Sequence, residues 1–215
     1  EILGAKCTLS ESTLSIDASD ITSLEAPYDL VKTMRASFYV MGPLLARFGE
    51  SKVSLPGGCA WGPRPVDYHL KGFEKLGATI DLNQGYILAQ SEKLQGSEIS
   101  FEIASVGATA NILMAAVLAE GKTFINNAAV EPHIVQLCDV LVDMGANIRG
   151  IGTHRLEIEG VSSLRPVEVK VIPDMIEAGT FLMAGATLGE ITLTDVDPSH
   201  LNIVLEKLDH AGCDL

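Results

Sequence analysis

Four times along the chain an amphipathic stretch ends at a glycine followed by Ala or Cys and a short β-like run. The breaks are Leu3-Gly4-Ala5-Lys6-Cys7, Leu76-Gly77-Ala78-Thr79-Ile80, Met144-Gly145-Ala146-Asn147-Ile148 and Ala211-Gly212-Cys213-Asp214-Leu215. Their glycines stand 73, 68 and 67 residues apart, a period long enough for a whole supersecondary unit. Each glycine suits the position just past a helix, where a left-handed residue ends it. A chain built this way folds by repeating one unit.

The contents of the unit follow from periodicity. Val66, Leu70, Phe73 and Leu76 fall at helical spacing before one break, and Ile134, Leu137, Val140, Leu141 and Met144 before another. Leu201, Val204, Leu205 and Leu208 do the same before the last. Glu131-Pro132 and Asp197-Pro198-Ser199 carry helix-start chemistry. A second set of helices, 28–48, 106–120 and 175–188, is apolar and rich in small residues, and a glycine follows each. β-like runs come next, at 52–55, 122–126 and 190–194. After two of the breaks, 79–82 pairs with 86–89 and 147–149 with 155–158 across hairpin turns at Asn83-Gln84-Gly85 and 150–153. Lead-in strands are expected at 96–103 and 167–172. A helix apolar nearly all round belongs between layers, so an α/β fold with helices inside and sheets outside is expected. By phase, residues 1–18 read as the tail of one unit and 165–215 as the head of another, as in a fragment of a longer protein.

Composition narrows the function. With 28 acidic and 15 basic residues the net charge is −13, unsuited to nucleic acid or an anionic membrane. An anionic ligand would need the few cations gathered locally. Cys7, Cys59, Cys138 and Cys213 lie far apart with no Cys-x-x-Cys pair, which argues against zinc and against a disulfide scaffold. That usage suits a reducing, cytoplasmic setting. No membrane span or N-terminal signal is visible.

One loop stands out chemically: Leu55-Pro56-Gly57-Gly58-Cys59-Ala60-Trp61-Gly62-Pro63-Arg64-Pro65-Val66-Asp67-Tyr68-His69. Its glycines and prolines are costly to order, and loops of this kind tend to carry function on a rigid scaffold. A cation such as Arg64 beside Cys59 would favour the reactive thiolate. Glycines flanking the thiol also predict a loop that moves when ligand binds. The bland alternative is a tight surface turn with an incidental cysteine.

Several runs together resemble one family. They are Ala26–Ser37, Leu55–Cys59, Arg64–Asp67, Ser105–Thr109, Asn127–Pro132 and Ile172–Thr180. The chain is similar along essentially its whole length to the UDP-N-acetylglucosamine 1-carboxyvinyltransferases of the enolpyruvyl transferase family. The resemblance implies two inside-out α/β barrels of βαβαββ-type units closing over substrates. Residues 1–163 would belong to the domain with the cysteine loop, and 164–215 would open the second domain. The family's earliest N-terminal segment and most of the second domain, with its acidic base, would lie outside this chain.

The implied reaction moves the enolpyruvyl group of phosphoenolpyruvate to the 3′-hydroxyl of UDP-N-acetylglucosamine and releases phosphate, opening peptidoglycan synthesis. No cofactor and no metal are implied, and oligomeric state is not specified. By the resemblance, Cys59 is the proton donor, forms an adduct with phosphoenolpyruvate and is the residue fosfomycin alkylates. Arg64 would clamp anions between the two substrates, as guanidinium geometry allows. Arg35 fits a ligand phosphate or a buried ion pair. Pro65, Val66, Asp67 and Tyr68 match the nucleotide-contacting run, although Asp67 also suits a helix cap. Ser105, Val106 and Gly107 open a helix, where free N–H groups suit a diphosphate. His69 reads as support, and Cys7, Cys138 and Cys213 as structural. Ile103 and Met175 stand where some relatives carry Lys and Arg. Two other readings compete: a shikimate 3-phosphate enolpyruvyl transferase, against which Cys59 counts, and a non-catalytic UDP-sugar-binding module.

Overall fold

A computed structural model describes residues 1–56 and 66–215, which form two compact units, Glu1–Val167 and Glu168–Leu215. In the first unit the chain opens with a hairpin, β1 (Lys6–Ser10) and β2 (Thr13–Asp17), then β3 (Glu25–Ala26). Helix α1 (Tyr28–Val31), a 3₁₀ helix (Arg35–Val40), α2 (Met41–Phe48) and β4 (Glu50–Ser54) follow. Beyond the loop come α3 (Asp67–Lys75), β5 (Thr79–Asn83) and β6 (Tyr86–Gln90). The same order then recurs as β7 (Glu98–Ser100), α4 (Val106–Ala116), β8 (Lys122–Asn126), α5 (Pro132–Asp143), β9 (Asn147–Arg149) and β10 (Arg155–Glu159).

The repeat is visible in the sheets. One has the order β3-β4-β6-β5 and the other β7-β8-β10-β9, each with one parallel pair followed by two antiparallel pairs. A parallel pair needs a crossover connection, and the crossover is where the inner helices α2 and α4 enter. Alternate residues of the central strands are buried: Val53 and Ser51 face Ile87 and Ala89, and Ile125 and Thr123 face Leu156 and Ile158. Each sheet therefore turns one face to the core and one outward.

Helix α4 is the axis of this core. From Ala108 to Ala116 only Met114 is not buried, and the helix packs against α2, α3 and α5. The expected arrangement, with helices inside and sheets outside, is the one observed. Two glycines permit the close approach. A Cβ on Gly42 of α2 would lie 2.3 Å from the Asn111 carbonyl oxygen, and one on Gly72 of α3 would lie 2.0 Å from Ile112 Cδ1. The break glycines Gly4, Gly77, Gly145 and Gly212 all have positive φ, between 87° and 107°, and Gly77 and Gly145 stand just past α3 and α5, as helix-ending residues should.

Two expectations are corrected. The single helix expected over 28–48 is three pieces, with Met34 extended and the chain restarting as α2 at Met41. Pro43 lacks the N–H that a continuous helix would donate to residue 39, which favours the restart. The strands expected at 167–172 and 190–194 do not form; both segments lack regular structure. Strands need partners for their N–H and C=O groups, and among its described residues the second unit contains no hairpin to supply them. That unit consists of α6 (Met175–Leu188), a 3₁₀ turn (Pro198–Leu201) and α7 (Asn202–His210). Asp174 caps α6 by accepting from the N–H of Ile176 and Glu177 at 2.8 and 3.2 Å.

Candidate functional site

Cys59, Arg64 and Pro65 lie outside the described residues, as does most of the loop whose movement the sequence predicts. The described part of the expected site gathers at the start of α4. A cleft of about 320 Å³ is lined by Arg35, Ala36, Phe38, Tyr39, His69, Ser105 and Gly107. Three stretches distant in sequence supply it: the 3₁₀ helix, the first turns of α3 and the N-terminus of α4.

Ser105 caps α4, its Oγ accepting from the Ala108 N–H at 3.3 Å. Thr109 N–H donates to the Ser105 carbonyl. The N–H groups of Val106 and Gly107, in the first turn, have no partner within the helix, and the helix dipole adds partial positive charge there. Arg35 brings a guanidinium to the same cleft. Free N–H groups at a helix start beside a guanidinium have the chemistry to hold an anion.

Sequence alone marks His69 as support, and its environment is more specific. It is 5% exposed, meets Phe38 edge-on with ring centroids 5.0 Å apart, and stacks on Tyr39 at 6.4 Å. Burial pushes its pKa down to about 4; the Arg35 charge acts in the same direction and Asp67 opposes. The ring is thus uncharged at neutral pH. Its neighbour Asn111, which no sequence motif marks, is fully buried on α4. The signal was there: an asparagine inside the apolar run Thr109–Ala116 must find partners.

The remaining sequence candidates go elsewhere. Val66 is buried at the start of α3. Asp67 does not cap that helix; it is the first helical residue, and its carboxylate lies 3.6 Å from Lys71 on the exposed surface. Tyr68 packs on Phe101, with centroids 5.5 Å apart, and lines a separate cavity of about 410 Å³ with Lys71, Ser100 and Glu102. Val106 lines a larger groove of about 680 Å³ between the N-terminal residues, α2, α4 and α5, whose walls are mostly apolar. Cys138 is buried in α5 with its thiol pushed up to about 11, chiefly by burial, which makes it inert; Cys7 and Cys213 are half-buried. Among the described residues no cluster of His, Cys, Asp or Glu has metal-binding geometry, and no helix is long and apolar enough to cross a membrane.

Comparison with known proteins agrees with this architecture. The chain is 59% identical over 217 aligned residues to the UDP-N-acetylglucosamine 1-carboxyvinyltransferase of Chloroherpeton thalassium, covering 100% of this chain and 51% of that protein. It is 58% identical to the enzyme of the same name from Pelodictyon phaeoclathratiforme, covering 98% of this chain and 50% of that one. The chain thus spans about half the length of the curated relatives it matches. Among solved structures, the enolpyruvyl transferase NikO from Streptomyces tendae superposes with a TM-score of 0.74 at 26% identity, covering 85% of this chain and 44% of that one. EPSP synthase from Acinetobacter baumannii shares the fold, with a TM-score of 0.70 at 20% identity over 99% of this chain and 49% of that one. The family model described as EPSP synthase (3-phosphoshikimate 1-carboxyvinyltransferase) matches residues 1–215 throughout, and this chain is a member of that enolpyruvyl transferase family.

Proposed function

We propose that this chain carries the cysteine-loop half of a transferase that moves the enolpyruvyl group of phosphoenolpyruvate to the 3′-hydroxyl of UDP-N-acetylglucosamine. Phosphate leaves, and the product feeds peptidoglycan synthesis. The observation that carries the reading is the 56–59% identity, over nearly the whole chain, to proteins named for this reaction. Residues 1–163 form the cysteine-loop domain in this reading and 164–215 begin a second one.

The chemistry divides among a few groups. The vinyl carbon of phosphoenolpyruvate must gain a proton as the sugar hydroxyl attacks its neighbour, giving a tetrahedral ketal; elimination then removes a proton and expels phosphate. Cys59 supplies the proton, a role open to a thiol acidic enough to give it and nucleophilic as thiolate. Arg64 holds the charge shared by the two substrates. Arg35, Ser105, Val106 and Gly107 receive the diphosphate, which the anion-binding character of the cleft supports. The resemblance assigns the nucleotide to the run Pro65, Val66, Asp67 and Tyr68, of which Asp67 and Tyr68 lie beside the Arg35–Ser105 cleft rather than in it. No step calls for a metal or cofactor.

The test is alkylation by fosfomycin, mapped by peptide mass spectrometry with and without UDP-N-acetylglucosamine. Labelling at Cys59 alone, accelerated by the sugar nucleotide, is expected. Labelling spread over Cys7, Cys59 and Cys213 and indifferent to the sugar nucleotide would leave the chain as a non-catalytic scaffold. Acceleration by shikimate 3-phosphate instead would move the assignment to that substrate.

A further inference from the structure

Asn111 sits where α2, α3 and α4 meet, and each of its polar atoms is engaged. Its Oδ1 accepts from the Gly42 N–H at 2.8 Å, while its Nδ2 donates to the Phe38 carbonyl at 3.2 Å. These two backbone partners fix the orientation of the amide. Reversing it would set an N–H against an N–H and an oxygen against an oxygen. The Nδ2 group therefore has a second hydrogen to give, and it lies 3.2 Å from His69 Nδ1. A ring nitrogen that accepts carries no proton, so the proton of the uncharged imidazole is on Nε2.

Nε2 lies at the cleft. A Cβ placed on Gly107 would come within 3.1 Å of His69 Nε2 and 3.3 Å of the Tyr39 hydroxyl, so the absence of a side chain there keeps this edge of the ring open. Arg35 and Ser105 share the same cavity. We propose that Asn111 is a positioning residue that holds His69 as its Nε2–H tautomer, so that His69 donates a hydrogen bond to the anionic part of the ligand in this cleft. The inference rests on the reading that the cleft receives the diphosphate of a sugar nucleotide. A neutral donor of fixed direction lets the site bind an anion without taking up a proton. Arg35, from the preceding 3₁₀ helix, and Asp67, on the same helix as His69, are the charged groups that act on the ring.

The experiment is a long-range ¹H–¹⁵N correlation spectrum of the ¹⁵N-histidine-labelled 215-residue chain, with His69 assigned by the signal lost in His69→Gln. The expected result is an unprotonated Nδ1 and a protonated Nε2, unchanged from pH 5.5 to 8, with Nε2 shifting on addition of UDP-N-acetylglucosamine. Asn111→Asp sets a carboxylate against Nδ1, and His69 should then titrate within that range; a merely structural Asn111 would leave the nitrogens as they are. His69→Asn, which reaches only as far as Nδ1, should weaken binding about tenfold, and His69→Gln, whose amide reaches the Nε2 position, should restore most of it. A proton on Nδ1, or equal loss in both His69 variants, overturns the proposal. So does a fixed tautomer that neither UDP-N-acetylglucosamine nor inorganic pyrophosphate disturbs. A shift with pyrophosphate but none with the sugar nucleotide supports the donor role and refutes the substrate reading.

Discussion

Replacing Gly42 by alanine tests the helix packing directly. The new Cβ would sit 2.3 Å from the Asn111 carbonyl oxygen and 2.6 Å from its Oδ1, against an ordinary contact of 3.4 Å or more. α2 must therefore move about 1 Å from α4, since the obstacle is backbone and a hydrogen-bonded amide rather than the tip of a mobile side chain. Overpacking of this kind costs about 1–3 kcal/mol. Stretching the Gly42 N–H to Asn111 bond adds about 1 kcal/mol, and the better helix propensity of alanine returns about 0.5–1 kcal/mol. The net expectation is a loss of about 2 kcal/mol, read as a lower urea midpoint at unchanged m-value by far-UV circular dichroism. Gly179→Ala is the contrasting case. Its Cβ would meet Leu201 and Val204 at 3.7 Å, ordinary contact, so the same change in α6 should stabilise by up to about 1 kcal/mol. A Gly42→Ala protein as stable as the wild type would refute the claim that α2 and α4 meet through a backbone contact at this residue.

Three further outcomes are expected. His69, with its folded pKa near 4 against an unfolded value near 6.5, contributes stability that is complete above pH 6.5 and lost as pH falls towards 4. The unfolding free energy should drop by about 3 kcal/mol across that window relative to His69→Gln, and parallel acid profiles for the two proteins would contradict the burial argument. Cys138 should react with iodoacetamide at pH 7.5 far more slowly than Cys7 or Cys213, at a rate set by opening of the fold; rapid labelling would show that α5 is not packed as described. Asp174→Ala should cost about 1 kcal/mol and speed hydrogen exchange at Ile176 and Glu177, leaving α4 unaffected, because the carboxylate caps only α6.

The sequence alone determined the repeat and much of its content. Glycine at each helix end and alternation in the strands are local properties, and α6, β8 and β9 fall on the residues that periodicity marks. The capped helix start at Ser105–Gly107 was legible for the same reason, since capping is a matter of a few neighbouring residues. Pairing is not local. Residues 190–194 carry a strand-like pattern, yet without a hairpin beside them in the second unit they form no strand, whereas the matching run at 122–126 lies between β7 and β10. The restart at α2 follows from Pro43, which is local, whereas the close approach of α2 to α4 at Gly42 is not. The link from Asn111 to His69 joins residues 42 positions apart in sequence, and the tautomer it fixes follows from two backbone partners contributed by other segments. Local sequence names the helices and their caps; only the packing of three helices around one buried amide decides which nitrogen of His69 carries the proton.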